Sequence, residues 1–276
     1  MTSGSYNPHR TIGTGLDDEV TRLEAQAALT AETEFALMER IGLPGRSLVE
    51  IGCGSGAFLA RLADRFPGHD VHGVEFRPDL LDRARERGCR VVRGDAYALP
   101  LPDDSCGTVV LRFVLQHLAD PRAAVREAVR VLQPGGRLMV IDVDGGMWGC
   151  VTPTFPEFID IYTRFAAAQA QDGGDRMVGR KASGWLRDSG LAQVRTEAYS
   201  VTNENRPIED FEIHVGPSRL APLLARNELG ILDLARATQA WARLRSDPAA
   251  WIMLLGIIAT GVTPLGTAPR DTWEGD

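Results

Sequence analysis

Glycines and an acidic residue placed after short apolar runs are the residues of this chain best suited to bind a ligand. Residues 48–56 read Leu-Val-Glu-Ile-Gly-Cys-Gly-Ser-Gly, so an apolar run ends in three glycines at alternate positions. A strand that turns into a helix through glycines brings bare backbone N–H groups close to a ligand. A second apolar run, 71–74, ends in Glu75, whose carboxylate can take both hydroxyls of a ribose. The spacing predicts a nucleoside-containing cofactor.

Three further polar residues could take part in catalysis. His117 is the best candidate for a general base because imidazole titrates near neutrality. The alternative is a histidine at a helix start that only shapes the pocket. Asp142 and Asp144 end a predicted strand and could bind Mg²⁺, but no convincing third ligand accompanies them. We therefore favour polar contacts to substrate or turn capping for these two, and we predict no metal site.

An alternation of strands and helices must position these residues. It predicts an α/β fold with a doubly wound, seven-stranded, mostly parallel sheet. Predicted strands cover 47–51, 70–74, 89–93, 108–112, 137–143, 191–201 and 251–260. Predicted helices cover 17–29, 30–41, 56–65, 78–87, 121–132, 156–170 and 178–189, and 208–245 is expected to be mostly helical.

Composition excludes several classes of partner. The net charge is −7 and no basic cluster appears, so no nucleic-acid partner is expected. The four cysteines have no paired spacing, which favours reduced thiols and a cytoplasmic location over disulfides or zinc. The N-terminus shows no signal pattern, and the longest apolar run, 251–262, is too short to span a bilayer.

Four segments, taken together, carry a family resemblance. They read Glu-Ile-Gly-Cys-Gly-Ser-Gly at 50–56, Val-Glu-Phe at 74–76, Gly-Asp-Ala-Tyr-Ala-Leu-Pro at 94–100 and Leu-Gln-Pro-Gly-Gly-Arg-Leu at 132–138. In this order and spacing they resemble class I S-adenosylmethionine-dependent methyltransferases, in the small-molecule branch that includes the ubiquinone and menaquinone methylating enzymes. The resemblance covers residues 18–145 and fades beyond them, where acceptor choice is expected to be encoded.

The resemblance implies S-adenosyl-L-methionine as the cofactor and a role for each residue on its adenosine side. Glu75 would bind the ribose, and Phe76 would cover the adenine face. Asp95 would accept a hydrogen bond from the adenine amino group, while the Ala96 N–H would donate to the ring.

The resemblance also implies roles on the methionine side of the cofactor. Glu50 would orient the loop or contact the methionyl amine, and Arg112 could bind the cofactor carboxylate bidentately. Gln116 and His117 would lie near the methyl group. Three residues would let the methionine part lie against bare backbone: Gly52, Gly54 and Gly56.

The resemblance further suggests how the chain is divided. Residues 1–41 would form an N-terminal arm and a helical lid over the cofactor, with Arg22 and Gln26 facing inward. Residues 42–145 would be the cofactor-binding half of the core. Residues 146–276 would supply a helical cap that binds the acceptor, together with the remaining strands.

An aromatic stripe follows the fifth predicted strand, and two interpretations remain open. Such a stripe can line an apolar acceptor pocket, or it can pack onto the core as helical stripes commonly do. Its members are Trp148, Phe155, Phe158, Tyr162 and Phe165.

The expected function is in-line methyl transfer to a carbon, oxygen or nitrogen nucleophile of a small, fairly apolar molecule, in specialised metabolism. An NAD(P)-dependent oxidoreductase is an alternative because Gly52-x-Gly54-x-x-Ala57 fits the dinucleotide fingerprint. The Tyr-x-x-x-Lys pair of short-chain reductases is absent, since Met177 precedes Lys181 by four residues. Use of the cofactor without methyl transfer and a cofactor-sensing binding protein are further alternatives. A homo-oligomer is compatible with the sequence.

Overall fold

A sheet of eight strands forms the centre of the fold within the residues that the structure describes. The computed structural model describes residues 15–147, 150–220, 223–224 and 228–265. The strands are β1 (Ser47–Ile51), β2 (Asp70–Glu75), β3 (Val91–Arg93), β4 (Cys106–Arg112), β5 (Leu132–Asp142), β6 (Cys150–Thr152), β7 (Ala192–Thr202) and β8 (Trp251–Val262). The predicted Rossmann-like fold is confirmed, and the short β6 is the strand added to the seven expected.

Helices cover both faces of this sheet. They are α1 (Leu16–Ile41), α2 (Ala57–Arg65), α3 (Pro78–Glu86), α4 (Pro121–Arg130), α5 (Pro156–Gln171), α6 (Val178–Asp188), α7 (Glu212–Val215) and α8 (Ile231–Ser246). Short 3₁₀ turns lie at Leu115–His117, Ile208–Phe211 and Pro217–Leu220.

The order of the strands places a crevice at the carboxyl ends of β1 and β4. The sheet runs β3-β2-β1-β4-β5-β8-β6, and β7 pairs with β8. The neighbours from β3 to β5 are parallel, whereas β8 is antiparallel to β5, β6 and β7. Because the chain moves outward in opposite directions from β1 and β4, the loops after these strands diverge.

The core is two apolar layers, one on each side of the sheet. Every residue of β4 is buried, as expected for a strand covered on both faces. One layer includes Phe35 of α1 and Phe58 of α2, and the other includes Val125 of α4 and Trp185 of α6. Burial of such side chains contributes about 1.5–3 kcal/mol each, so these layers hold the strand ends in place.

Some predicted element boundaries are wrong. The two helices predicted at 17–29 and 30–41 are one helix, because no glycine or proline interrupts residues 16–41. The fifth strand, predicted at 137–143, begins already at Leu132. The segment predicted to be mostly helical, 208–245, is mostly helical where it is described: 3₁₀ turns and α7 precede α8, with Pro217 and Gly230 at two of the interruptions.

Some predicted features lie outside the described residues. These are residues 1–14 of the expected arm and Trp148 of the aromatic stripe. In the described residues, no helix combines the length and the apolar character needed to cross a membrane.

Candidate active site

The glycine loop between β1 and α2 is closed by its own hydrogen bonds. Gly52, Gly54 and Gly56 have φ values of 71°, 56° and 75°, a region that glycine adopts without strain. The N–H groups of Gly52 and Cys53 donate to the Val74 carbonyl, and that of Gly56 donates to the Cys53 carbonyl. The expectation that bare N–H groups of this loop point at a ligand is therefore wrong for these positions.

These glycines matter to the loop mainly because they have no side chains. A Cβ on Gly52 would lie 2.6 Å from Val114 Cγ2, and one on Gly54 would lie 3.3 Å from Leu23 Cδ1. The loop thus fits between the segment after β4 and helix α1, with no room for a side chain at Gly52.

Glu50 is a buried carboxylate at the carboxyl end of β1. It is 3% exposed, and its Oε2 atom has no hydrogen-bond partner in the described residues. Burial raises the pKa of Glu50 to about 8, with Arg112 acting in the opposite direction. An unpaired buried carboxylate is costly, and a cationic ligand group would relieve that cost.

Glu75, the last residue of β2, is bound to the glycine loop. Its Oε2 accepts from the Gly54 N–H and its Oε1 accepts from the Arg77 N–H, both at 2.8 Å. Each carboxylate oxygen retains a further lone pair, so the group can still accept from ribose hydroxyls. Burial raises its pKa, although the backbone donors oppose that shift.

Phe76 and Asp95 lie at the same edge of the sheet as Glu75. Phe76 is 57% exposed, which is unusual for an aromatic residue at the end of a central strand. Glu75 pairs with Arg93 in the β2–β3 register, so Asp95 and Ala96 follow just beyond that strand end. Asp95 Oδ1 accepts from the Tyr97 N–H at 2.9 Å, which fixes the turn.

Arg112 is engaged by α1 in this structure. Its Nε donates to Glu34 Oε2 at 2.7 Å and its Nη2 donates to Thr30 Oγ1 at 2.8 Å. The guanidinium also lies over the Phe58 ring, 4.3 Å from the centroid. Arg112 thus has a protein carboxylate as its partner in this structure.

Glu34 completes this buried cluster with a residue from the far edge of the sheet. Its Oε1 accepts from the Tyr199 hydroxyl at 2.5 Å. Burial raises the pKa of Tyr199 well above its ordinary value, so the phenol stays protonated and donates. Gly256 of β8 makes room for this ring, because a Cβ there would lie 2.2 Å from Tyr199 Cζ.

The first half of α1 contacts the glycine loop, and its role as a lid over the cofactor stays a prediction. Leu23 of α1 approaches Gly54 of the loop. In addition, Asp17 pairs with Arg83 in α3, and Glu24 pairs with Arg87 directly after α3. Arg22 donates through Nε and Nη2 to the buried Glu19, both at 2.8 Å. Gln26 is half-buried on the same helix.

His117 lies in the 3₁₀ turn after β4 and is held in one tautomer. Gln169 Nε2 donates to the Gln116 carbonyl at 2.9 Å and contacts His117 Nδ1 at 3.3 Å. Since Gln169 Oε1 accepts from Arg176 Nη1, the amide orientation is defined and its N–H₂ faces His117. Nδ1 is then the acceptor, and the neutral ring carries its proton on Nε2.

Burial lowers the pKa of His117 to about 3, and Arg176, Arg22 and Arg219 add to this effect. A general base works best when its pKa lies near the operating pH. This environment favours a neutral His117 that donates a hydrogen bond from Nε2 over one that accepts a proton.

The carboxylates at the end of β5 stabilise the surrounding loops. Asp142 is buried and accepts from the Gln116 and Val143 N–H groups, and burial raises its pKa to about 7. Asp144 accepts from Arg180 Nη2 at 2.7 Å and from the Gly146 N–H. In the described part of the chain, no cluster of three or more His, Cys, Asp or Glu residues could hold a metal ion.

The described members of the aromatic stripe contact other side chains of the protein, and a role in an acceptor pocket stays a prediction. Phe158 is buried and packs edge-to-face on Phe155, with ring centroids 5.6 Å apart. Tyr162 donates to the His214 carbonyl at 2.6 Å. Phe165 instead lies under two guanidinium groups, those of Arg176 and Arg219. Sequence patterns missed these two arginines and Gln169 because their positions follow no motif spacing.

Comparison with known proteins agrees with this geometry. A family model described as "Methyltransferase domain" matches residues 49–140. An uncharacterised 37.1 kDa protein in transposon TN4556 of Streptomyces fradiae is 33% identical over 66% of this chain and 55% of its own length. A demethylmenaquinone methyltransferase of Corynebacterium kroppenstedtii is 34% identical over 44% of this chain and 49% of its own length. The chain thus covers about half of each of these relatives.

A solved structure supports the same fold. A SAM-dependent methyltransferase from Thermotoga maritima superposes with a TM-score of 0.54 at 18% identity, covering 90% of this chain and 95% of its own. Residues 49–140 thus carry a methyltransferase domain, and the chain has the Rossmann-like fold of S-adenosylmethionine-dependent methyltransferases and resembles the menaquinone-type enzymes in sequence.

Proposed function

We propose that the protein binds S-adenosylmethionine in the crevice between the glycine loop and α1 and transfers its methyl group to a small-molecule acceptor in specialised metabolism. The observation that carries this proposal is the unpaired buried oxygen of Glu50, placed at the end of β1 next to the glycine loop. A primary ammonium close to Glu50 would supply the missing partner. The acceptor and the cytoplasmic location are part of this proposal.

The residues present fit the cofactor along its whole length. Glu50 would hold the methionyl ammonium. The backbone at Gly52 and Gly54 would contact the methionine part of the cofactor. Glu75 has lone pairs left for ribose hydroxyls, and the exposed Phe76 ring is available to cover a base. Asp95 and Ala96 would contact the edge of that base.

Bound S-adenosylmethionine would supply an activated methyl group, so the chain's own residues need only align the acceptor and exclude water. Alignment of reacting groups can supply about 7–11 kcal/mol. His117, neutral and donating from Nε2, would orient a polar atom of the acceptor. An acceptor that is already nucleophilic, such as an enolate or phenolate, suits a site whose histidine has a pKa of about 3.

Calorimetry with S-adenosylmethionine and with NAD tests the proposal. We expect binding of S-adenosylmethionine only, weakened in Glu75→Ala because the Gly54 N–H then loses its acceptor. Asp82→Ala, at an exposed position of α3, is the matched control and should bind normally. Binding of NAD alone would overturn the cofactor assignment.

Transfer of the methyl group requires a separate measurement. The protein is incubated with methyl-labelled S-adenosylmethionine and a panel of phenols, enols and amines, and label in any acceptor supports the proposal. Tight cofactor binding without any labelled product would favour the non-transferring alternative.

A further inference from the structure

Two arginines form a positively charged site beside His117. Arg176 precedes α6 and Arg219 lies in the 3₁₀ turn Pro217–Leu220. Their guanidinium carbons lie 5.3 Å and 4.3 Å from the centroid of the Phe165 ring, and both side chains are half-buried. We call Arg176 and Arg219 the arginine pair. Cation–π contacts use the flat face of a guanidinium, so its N–H edges remain able to bind a ligand.

The arginine pair is connected to the residues around the predicted methyl position. Arg176 Nη1 donates to Gln116 Oε1 and to Gln169 Oε1, both at 3.3 Å. Gln169 in turn contacts His117 Nδ1. Arg176 therefore lies one hydrogen-bonded residue away from His117, and Arg219 joins it through the shared Phe165 ring.

The charge of the arginine pair lacks a carboxylate partner. Across the ranges that the structure describes, neither arginine forms an ion pair, whereas nearby Arg180 pairs with Asp144. Arg219 Nε is buried and has no hydrogen-bond acceptor in those ranges. Burial, with Arg176 as the next cause, lowers the pKa of Arg219 to about 9. Two neighbouring cations with buried donors are costly unless an anion neutralises them.

Asp142, the acid that attracts Arg176, does not neutralise the positive charge of the arginine pair. Asp142 attracts Arg176, but burial raises the pKa of Asp142 to about 7, so it is only partly ionised near neutrality. Arg22 of α1, which pairs with Glu19, also repels both members of the arginine pair.

We propose that the arginine pair binds a carboxylate carried by the methyl acceptor, so that the substrates are small organic acids with an apolar body. Guanidinium groups match the planar, two-oxygen shape of a carboxylate. The carboxylate would be an anchor, since binding to two arginines withdraws electron density from its oxygens and makes it a poor nucleophile. Another atom of the acceptor would then face His117. This inference rests on the proposed function.

Binding of matched probes tests the proposal. The protein is saturated with S-adenosylhomocysteine and titrated with benzoate, with the neutral analogue benzamide and with inorganic phosphate, followed by ligand-observed NMR. We expect benzoate to bind at least 10-fold more tightly than benzamide. Arg176→Gln and Arg219→Gln should each abolish that preference, while Arg85→Gln, an exposed arginine of α3, should keep it.

Several outcomes of this titration would overturn the proposal. They are equal binding of benzoate and benzamide, no binding of benzoate, a preference that persists in both variants, and tighter binding of phosphate than of benzoate.

The thermal stability of Arg219→Met gives a readout that does not depend on any probe. If the arginine is retained for an anionic ligand, the ligand-free variant should have a higher Tm than the wild type, because an uncompensated cation is removed. A lower Tm would show that Arg219 serves to pack on Phe165, and would contradict the proposal.

Cofactor titration separates this inference from the proposed function. If S-adenosylmethionine binds and benzoate does not, only the carboxylate site fails. If benzoate binds through the arginine pair and S-adenosylmethionine does not bind, the anion site stands and the proposed methyl transfer fails.

Discussion

Glu34 and Arg112, which are 78 residues apart in the chain, form a buried ion pair that joins α1 to the carboxyl end of β4. Neither side chain is exposed by more than 6%. Tyr199 donates to the same carboxylate from β7, so the cluster links one helix with two strands. The pair fixes α1 at its middle, directly beyond the part that covers the glycine loop.

Removing one member of this ion pair should destabilise the protein strongly. We expect Glu34→Gln to lower the free energy of unfolding by about 3–5 kcal/mol, because Arg112 is left as an uncompensated buried charge. Urea denaturation measures the change. The matched control is Tyr199→Phe, which removes one hydrogen bond to Glu34 and should cost about 1–2 kcal/mol. Equal effects of the two variants would contradict the role assigned to the charge.

The ionisation of Glu50 should make stability depend on pH. Its pKa rises from 4.5 to about 8 on folding, so the folded state binds more protons between these values. The free energy of unfolding should therefore fall as pH rises from about 4.5 to 8 and stay low above that range. Glu50→Gln removes this loss, so at pH 8.5 the ligand-free variant should melt at a higher temperature than the wild type. A lower Tm for the variant at pH 8.5 would show that ionised Glu50 is compensated.

Binding of S-adenosylmethionine should release a proton from Glu50. Near pH 7 the ligand-free carboxyl is largely protonated, and pairing with the methionyl ammonium would favour its ionised form. Calorimetry in buffers of different ionisation enthalpy measures the number of protons released, which should approach one. Glu50→Gln should bind more weakly and release none. A proton count of zero in the wild type would place the ammonium elsewhere.

Substitution at Gly52 should distort the loop. Gly52→Ala combines a φ of 71° with a Cβ placed 2.6 Å from Val114, so we expect a loss of about 1–3 kcal/mol in stability and weaker cofactor binding. Gly88→Ala is the matched control, because its φ is 84° and nothing lies within 4 Å of the added carbon. The difference between the two variants isolates the clash, and Val114→Ala should partly restore Gly52→Ala. Equal losses would mean that backbone strain alone matters.

His117 should not behave as a general base. With its pKa at about 3, the histidine contributes no inflection to the kcat/KM profile between pH 5.5 and 8. His117→Asn keeps an acceptor near Nδ1 for Gln169 and should retain turnover within about 10-fold, whereas loss of a base costs about 10²–10⁴-fold. A loss in that larger range, together with the disappearance of an inflection near pH 6.5, would restore the base assignment.

The same histidine should weaken the fold in acid. Its pKa is lower in the folded state than the ordinary 6.5, so the unfolded chain binds more protons between about 3 and 6.5. Its contribution to stability is therefore lost as pH falls through this range. His117→Asn should show a smaller loss of stability between pH 6.5 and 4 than the wild type. A steeper loss in the variant would contradict the buried neutral ring.

The parts of the fold predicted from sequence are those set by local patterns. Glycine spacing and strand-ending acids were enough to place Gly52, Glu75 and Asp95 at one edge of the sheet. The continuity of α1 could have been predicted, since no residue between positions 16 and 41 breaks a helix.

Those local patterns could not predict contacts between residues that are far apart in the sequence. Arg112 was assigned to the cofactor carboxylate because nothing in the sequence connects it with Glu34. The arginine pair was missed for the same reason, since Arg176 and Arg219 meet only through a shared ring on another helix. Burial, which sets the protonation of Glu50 and His117, likewise depends on the complete packing of the core.

The uninterrupted course of α1 determines how a ligand can enter and leave. Glu34 fixes the middle of α1, and residues 16–41 contain no glycine or proline at which the first half of the helix could bend. Passage to the crevice then calls for unwinding from the amino-terminal end, turn by turn, with Asp17 and Glu24 releasing their arginines in succession. We therefore expect amide exchange in residues 16–28 to slow when the crevice is filled.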